Sequence, residues 1–534
     1  MRIELIPYSE LKPFSGILPD YAGDFAKVAE YYAANPGNAE DLKHGVEGAL
    51  ARQYAREGLA GTLTEYNRRL GAGEATLANI EKLRAGNCVA AVTGQQPGLL
   101  GGPLYTMYKA LTAIRLARLI SERCGAQCVP IFWNASDGHD ADEYATVLMP
   151  PVNNGPARRR LADVPESASA FDVKVTRECA KIIGEFEAAL PKTEFRREVF
   201  ETLRSAYEGN LAESFSRLML RLLSKQGLIL MEPRLFRSEA AHIIARELET
   251  HGESSRAIRE AGQRLKDAGY APPFTGDEGV KVLIYENGRR QRLRAEGSGF
   301  RTREKEYSVW ELLGLLGREP ERFTPDAALR PVTQDALLPT AAYVAGPTEI
   351  AYYAQLKQAY EFFEVPMPVI YPRASGTLVE NNISKYLGNF GINLREFLNG
   401  TQPPEDVGHP ERNGRVEKEF AELLTEIGKH LGELREMTLK YEPTLEKPFE
   451  KVERNIKSEL EKLRDKAVGA QLNRLGIGRR QWSRICEALM PQGKLQERAE
   501  TVIPWLCKYG RELLDELVEE LPLEEFKHAL IYLT

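Results

Sequence analysis

The chain has 534 residues, 43% of them hydrophobic and 28% charged, and 71 basic against 77 acidic residues leave a net charge of −6. That length exceeds what one hydrophobic core supports, so two or three structural units are expected, and the acidic balance excludes a general basic surface for nucleic acid. Six scattered cysteines read as thiols of a reducing compartment; with no signal-peptide core and no apolar run of spanning length, a cytoplasmic protein without a membrane partner is expected.

Residues 24–85 carry Ala, Leu, Glu and Arg at helical spacing, broken at Asn35-Pro36-Gly37 and Gly71-Ala72-Gly73, which predicts an N-terminal helical hairpin or small bundle. Cys88 to Val92 reads as a buried strand. It ends in a loop, Thr93 to Pro103, with four glycines and two prolines, and a helix pattern restarts through Leu104, Met107, Leu111, Ile114 and Leu116. Glycines at such a place let a ligand approach the backbone, and the first helical turn offers unpaired N–H groups to an anion. Gln95 and Gln96 add two adjacent amides that both donate and accept.

A second buried strand, Cys128 to Trp133, ends at Asn134-Ala-Ser-Asp-Gly-His-Asp140. Two strands around a helix make a βαβ unit of a parallel sheet, whose ligands gather at the carboxyl ends of the strands. Gly227 to Pro233 reads as another strand, with a helix from about 238 to 250, and the alternation over 280–308 predicts a small antiparallel insertion. The parallel pattern resumes at Thr340–Ala345, turns at Gly346-Pro347 and runs through a helix to Met367–Tyr371, so the sheet is discontinuous in sequence. From Phe420 an apolar stripe runs through Leu424, Ile427, Leu431, Leu434, Met437 and Tyr441, and continues after Pro443 and Pro448 through Val452, Ile456, Leu460, Leu463 and Ala467. That pattern predicts two long helices with a coiled-coil seam, and its apolar face is expected to be covered in a homodimer.

Four polar strand ends describe a binding crevice. In Asp137-Gly-His-Asp-Ala-Asp-Glu143, four acids surround His139, which suits His139 and Asp140 to proton transfer and the acids to a hard cation such as Mg²⁺. The competing reading is a helix cap made by Asp140 and Glu143. Glu349, in Gly346-Pro-Thr-Glu349, opens a helix at another strand end, with a cap as its competing reading. Arg373 lies where a guanidinium clamps a carboxylate or phosphate, and Arg330 to Asp335 adds polar groups. No Walker-type loop, dinucleotide fingerprint or nucleophile elbow occurs in the sequence.

Several long motifs, in order, resemble the bacillithiol-biosynthesis enzymes that add cysteine to glucosaminyl malate, the BshC family of cysteine ligases. They are Thr93–Lys109, Pro130–Ala135 with His139-Asp140, Arg330–Asp335, Ala345–Tyr352, Pro372-Arg373 with Ser375, and Leu495–Arg498. The resemblance implies an α/β fold: a Rossmann-like, nucleotidylyltransferase-type parallel sheet with connecting-peptide insertions and a dimerising coiled-coil domain. It divides the chain into an N-terminal helical segment (1–85), a first core part (86–265), an insertion (266–330), a second core part (331–385), a coiled-coil domain (386–515) and a C-terminal segment (516–534). Its implied substrates are L-cysteine and glucosaminyl malate, with ATP and Mg²⁺ expected from the energetics of activating a carboxylate. No structural metal is expected. Carried onto these motifs, the substrate or nucleotide site comprises Gly94, Gln95, Gln96, Gly98, Gly102, Tyr105, Lys109, Trp133, Asp137, Gly346, Glu349, Tyr352, Arg373 and Ser375. The chain departs from the family where Asp137-Gly138 replaces Glu-Asp and Thr348 stands in Gly-Pro-Gly-Glu, and it lacks recognisable forms of the two synthetase ATP motifs. The alternatives are a diverged ligase or nucleotidylyltransferase with another amine acceptor, and a non-catalytic ligand-binding coiled-coil dimer.

Overall fold

The first residues already carry a long-range pairing. The alternation of Arg2–Ile6 (β1) forms an edge strand whose partner is His528–Leu533 (β8), antiparallel, with Ile3 opposite Ile531. The computed structural model describes the chain except residues 139, 151–157, 163, 166–167, 276–278, 288, 403–414 and 534, with backbone alone at 415–417 and 469–477. It divides into one unit of Met1–Val379 with Pro491–Thr534 and a second of Glu380–Met490.

In the first unit the expected N-terminal helices are Ala39–Ala51 (α1), Arg56–Arg69 (α2) and Glu74–Leu83 (α3). Cys88–Gln95 (β2), Leu104–Arg123 (α4) and Gln127–Asn134 (β3) then form the βαβ unit. Every residue of β2 except Gln95 is buried, as a parallel strand covered on both faces requires. Ile229–Met231 (β4), Thr340–Ala345 (β5) and Val369–Pro372 (β6) complete a five-stranded sheet in the order β6-β5-β2-β3-β4. All four pairings are parallel, with Val92 level with Ile131 and Tyr343, and Ile131 level with Ile229.

Between β4 and β5 the chain leaves the sheet through Arg237–Glu249 (α5) and an insertion. The insertion holds two three-stranded antiparallel sheets, as the alternation over 280–308 predicts. The chain returns along Leu329–Leu337 (α6) into β5, and Pro347–Tyr353 (α7) follows. Among the described residues no helix is long and apolar enough to cross a membrane.

The second unit is helical. Arg415–Tyr441 (α8) and Glu446–Leu489 (α9) meet through a turn at Pro443–Leu445. Pro443 breaks the helix as expected; Pro448 lies in the first turn of α9, where its missing N–H is no loss. Of the stripe residues, Leu434, Met437, Tyr441, Val452 and Leu463 are exposed. Trp482 packs edge-on against Phe390 and Phe397.

The structure differs from the expected partition at the C-terminus: the helical unit ends at Met490, and the chain from Pro491 returns to the sheet unit instead of staying in a coiled-coil domain to 515. Two features pull it back. Buried Gln496 donates to and accepts from the Leu378 backbone of Ser375–Glu380 (β7), and β8 lies between β1 and β7.

Candidate active site

In a doubly wound sheet the crevice opens where the strand order reverses, because the crossovers on either side leave in opposite directions. Here that point lies between β2 and β5, and a cavity of about 790 Å³ occupies the carboxyl ends of the strands around it. Gly94, Gln95, Gln96, Tyr105, Lys109, Trp133, Asp140, Gly346, Glu349, Tyr352 and Arg373, all marked by the sequence, line it.

Lys109 sits on the second turn of α4, and its side chain is 4% exposed. Its ammonium donates to Gly94 O and Gln95 Oε1, both at 2.8 Å, and pairs with Glu349. Glu349 in turn accepts from Tyr343 OH at 2.7 Å and from Gly346 N at 2.7 Å, the helix cap that competed for it in the sequence. One cation thus ties the end of β2 to the start of α7 across the switch point. Burial lowers the pKa of Lys109, and Glu349 opposes that shift.

Gln95 and Gln96 turn to the same carboxylate. Each donates its side-chain amide to one oxygen of Glu143, and Tyr105 OH donates to the first of these at 3.1 Å. Burial raises the pKa of Glu143 against those hydrogen bonds, leaving a half-buried acid with a strengthened affinity for a proton on the cavity wall. The sequence hid this role. Glu143 stands three residues after Asp140, whose Oδ1 accepts from Glu143 N at 3.1 Å, so the spacing reads as a cap and is one.

The acids of the 137–143 run do not converge. Asp137 is held by Arg234 at 3.2 Å and by Arg237 at 2.5 Å, Asp140 caps its turn, and Asp142 pairs with Arg160 at 2.9 Å. Among the described residues no group of three or more His, Cys, Asp or Glu is placed to hold a metal ion. His139 lies outside the described residues. Asp137 lines a smaller adjoining cavity of about 270 Å³ that shares Gln96, Trp133 and Arg330 with the first. Gly138 packs against Gln96 so closely that a Cβ would stand 2.2 Å from its Oε1. An acidic residue here would push Gln96 off Glu143, which gives the departure from the family pattern a local reason.

Beneath Asp137, Ser136 donates to Glu232 at the end of β4, and burial raises the fully buried Glu232 carboxyl to about 8. The folded chain holds this proton up to about 8, whereas the unfolded chain releases it near 4.5. Between those values the folded state binds more protons, so this stabilising contribution is full below the lower value and is lost as pH rises through the window. Glu232→Gln is expected to remove that dependence: its urea midpoint relative to the parent rises between pH 5 and pH 8.5, and parallel pH profiles would refute the assignment.

Three expectations are corrected. Five of the amides expected to receive an anion are already bonded. Gly98 N, Gly101 N and Gly102 N are bonded within the loop, Leu100 N bonds Tyr207 OH at 2.6 Å, and Leu104 N bonds Glu500 O at 2.7 Å. Gly98 and Gly102 accordingly shape the turn and do not line the cavity: Gly102 has φ +72°, and a Cβ on Gly98 would stand 2.7 Å from the Gly102 Cα. Arg373 reaches the cavity, but its fork is engaged by Glu497 at 2.6 and 3.0 Å, so no bidentate clamp is left for a substrate. Ser375 is buried away from the cavity, donating to Glu497 at 2.9 Å beside His528 at 2.8 Å. Burial holds His528 down at about 4. Arg330, read in the sequence only as one of the added polar groups, lines the cavity and donates to Tyr352 OH at 3.0 Å, and Tyr343 joins the lining from outside the expected set.

Residues 1–374 match the family model described as "Bacillithiol biosynthesis BshC, N-terminal Rossmann-like domain", and residues 376–533 match "Bacillithiol biosynthesis BshC, C-terminal coiled-coil domain". The chain belongs to the BshC family. It is 35% identical to a protein of Symbiobacterium thermophilum over 100% of both chains, and 33% identical to one of Salinibacter ruber over 98% of this chain and 97% of the relative. A protein of Desulforamulus reducens is 31% identical over 100% of both chains, and all three bear the name "Putative cysteine ligase BshC". The segments Thr93–Lys109 and Ala345–Tyr352, on which the resemblance in the sequence rests, are the two sides of the switch point, joined by Lys109 and Glu349.

Proposed function

We propose that the chain is a cysteine ligase of bacillithiol biosynthesis, joining the carboxyl of L-cysteine to the amine of glucosaminyl malate. The observation that carries this reading is the full-length family match in a chain where eleven of the residues marked by the sequence line one cavity at the switch point. A volume of about 790 Å³ is in the range of sites that enclose small-molecule substrates. A free carboxylate is a poor acyl donor; ATP with Mg²⁺, when bound, supplies its activation as an adenylate. In this reading Glu143, a cavity-wall acid whose affinity for a proton burial raises, takes one from the attacking amine, and His139 and Asp140 assist. Lys109 and Glu349 hold the two sides of the crevice at fixed separation.

The test is to incubate purified protein with glucosaminyl malate, cysteine and ATP, omitting each in turn, and to follow thiol product by mass spectrometry. Product only in the complete mixture is expected; none in the complete mixture overturns the assignment. The exposed stripe residues Leu434, Met437, Tyr441, Val452 and Leu463 support a homodimer through the helical unit, because so many apolar side chains in one stripe call for a covering surface. Sedimentation should then report about twice 59.9 kDa, and a monomer at micromolar concentration would refute it.

A further inference from the structure

Gly98 N, Leu100 N, Gly101 N and Gly102 N are bonded, Arg373 is engaged by Glu497, Lys109 is paired with Glu349, and Arg330 donates to Gln334 and Tyr352, so an anionic substrate group is best served by the remaining side-chain cations of the cavity wall. Three such cations belong to the one lining: Arg158, Lys494 and Arg498. All three are exposed, and exposed cations are common; what sets these apart is how they are held.

Lys494 and Arg498 flank two residues that are completely buried, Gln496 and Glu497. Gln496 makes two hydrogen bonds to the Leu378 backbone, at 2.8 and 3.0 Å, and Glu497 pairs with Arg373 and accepts from Gly376 N at 3.0 Å. The turn Gln496–Ala499 is therefore pinned to β7, and Arg498 is delivered to the cavity from a fixed backbone. Before it, Gln492 at φ +55° and Gly493 at φ +72° make a left-handed turn, and Gln492 Oε1 accepts from Arg158 Nε at 2.8 Å, which ties that guanidinium to the segment that carries Lys494 and Arg498. Among the described residues neither Lys494 nor Arg498 has a side-chain hydrogen bond or ion pair. The nearby acid Asp142 is neutralised by Arg160 at 2.9 Å. A cluster of cations that have no carboxylate partner among the described residues, in the lining of one concave site, favours a polyanion over a single carboxylate, because each added negative centre gains a charge-assisted contact that offsets the cost of ordering an exposed side chain.

We propose that Arg158, Lys494 and Arg498 form a subsite for a substrate group bearing two or more adjacent anionic centres, a dicarboxylate or a polyphosphate. This rests on the reading of the cavity as the substrate site. It assigns recognition of that group to Arg158 and the returning C-terminal segment, whereas Lys109, Glu349 and Glu143 come from the helices and turns that follow the strands of the parallel sheet.

The test titrates L-malate and inorganic triphosphate separately into the full-length protein by calorimetry, at low and at high salt. At least one probe is expected to bind, more weakly as salt rises. The Lys494→Ala/Arg498→Ala double variant should lose at least about tenfold in affinity for that probe. A Lys43→Ala/Lys192→Ala control, with the same charge removed from exposed sites outside the cavity lining, should bind as the parent does. Loss for malate assigns the subsite to the dicarboxylate of an acceptor, and loss for triphosphate assigns it to a nucleotide. If neither probe binds the parent, or the double variant binds as tightly as the parent, the subsite is refuted. Unchanged circular dichroism and urea midpoints, expected for exposed positions, separate lost recognition from lost folding. Probe binding lost in the variant, with no thiol product from the parent in any mixture, would keep the subsite and remove the ligase reading.

Discussion

Lys109→Met is expected to lower kcat/KM at least a hundredfold and to destabilise the fold by about 3 kcal/mol, the lower end of the range for breaking a buried pair. The variant leaves the Glu349 carboxylate, 14% exposed, with only Tyr343 OH and Gly346 N as partners, and strands the acceptors Gly94 O and Gln95 Oε1. Two sides of the crevice then lose their common tether, and small displacements at such a junction are costly to a reaction between positioned groups. The Lys109→Met/Glu349→Gln double variant separates the two effects: the urea midpoint should recover most of the loss, because no unpaired buried charge remains, while activity should stay low. Recovery of both would make Lys109 a purely structural residue, and activity within threefold of the parent in the single variant would remove it from the site.

Glu497→Ala should cost about 3–5 kcal/mol and shift the urea midpoint accordingly. Glu497 is fully buried, and four hydrogen bonds end on its carboxylate: two from Arg373, one from Ser375 and one from Gly376 N. Burial alone would favour the neutral acid, but the Arg373 guanidinium outweighs it and holds the carboxyl below its usual range. Removing the acid leaves the guanidinium charged and unpaired in the interior. Glu497→Gln keeps an acceptor for Ser375 and Gly376 N and should lose less; a Glu497→Ala midpoint equal to the parent's would refute the account. Because the same turn carries Arg498 to the cavity, Glu497→Ala is also expected to weaken binding of the anionic probe, a coupling that Glu497→Gln retains in part.

The elements that positioned the site were legible where the signal is local. Cys88 to Val92, Cys128 to Trp133 and Thr340–Ala345 are uninterrupted apolar runs, and each is a strand of the parallel sheet because both of its faces are covered. Gln95 and Gln96 stood out by residue type, and they do face the cavity, yet their partner is Glu143, whose spacing to Asp140 carried a complete and correct explanation as a cap. Arg373 was marked as a free clamp because its partner lies 124 residues further along the chain. Ser375 failed for the same reason; Arg158 and Lys494 carry no local pattern that separates them from ordinary surface cations, and Arg498 stood in the motif Leu495–Arg498 without an assigned role.

By itself, then, the sequence determined the strands of the parallel sheet, the break in that sheet, the helical seam and, through the order of its motifs, the family. Those features depend on residues within a turn or a strand of one another, where the periodicity of apolar side chains records which face is buried. Only the tertiary structure decided which polar strand ends meet, which charges neutralise one another and which remain for a substrate. Charge pairing is set by packing across the chain: Lys109 finds Glu349, Arg373 finds Glu497, and β1 finds β8 over the full length of the molecule. A side chain's availability is what remains after those distant partners have been satisfied, and no short window of sequence contains them.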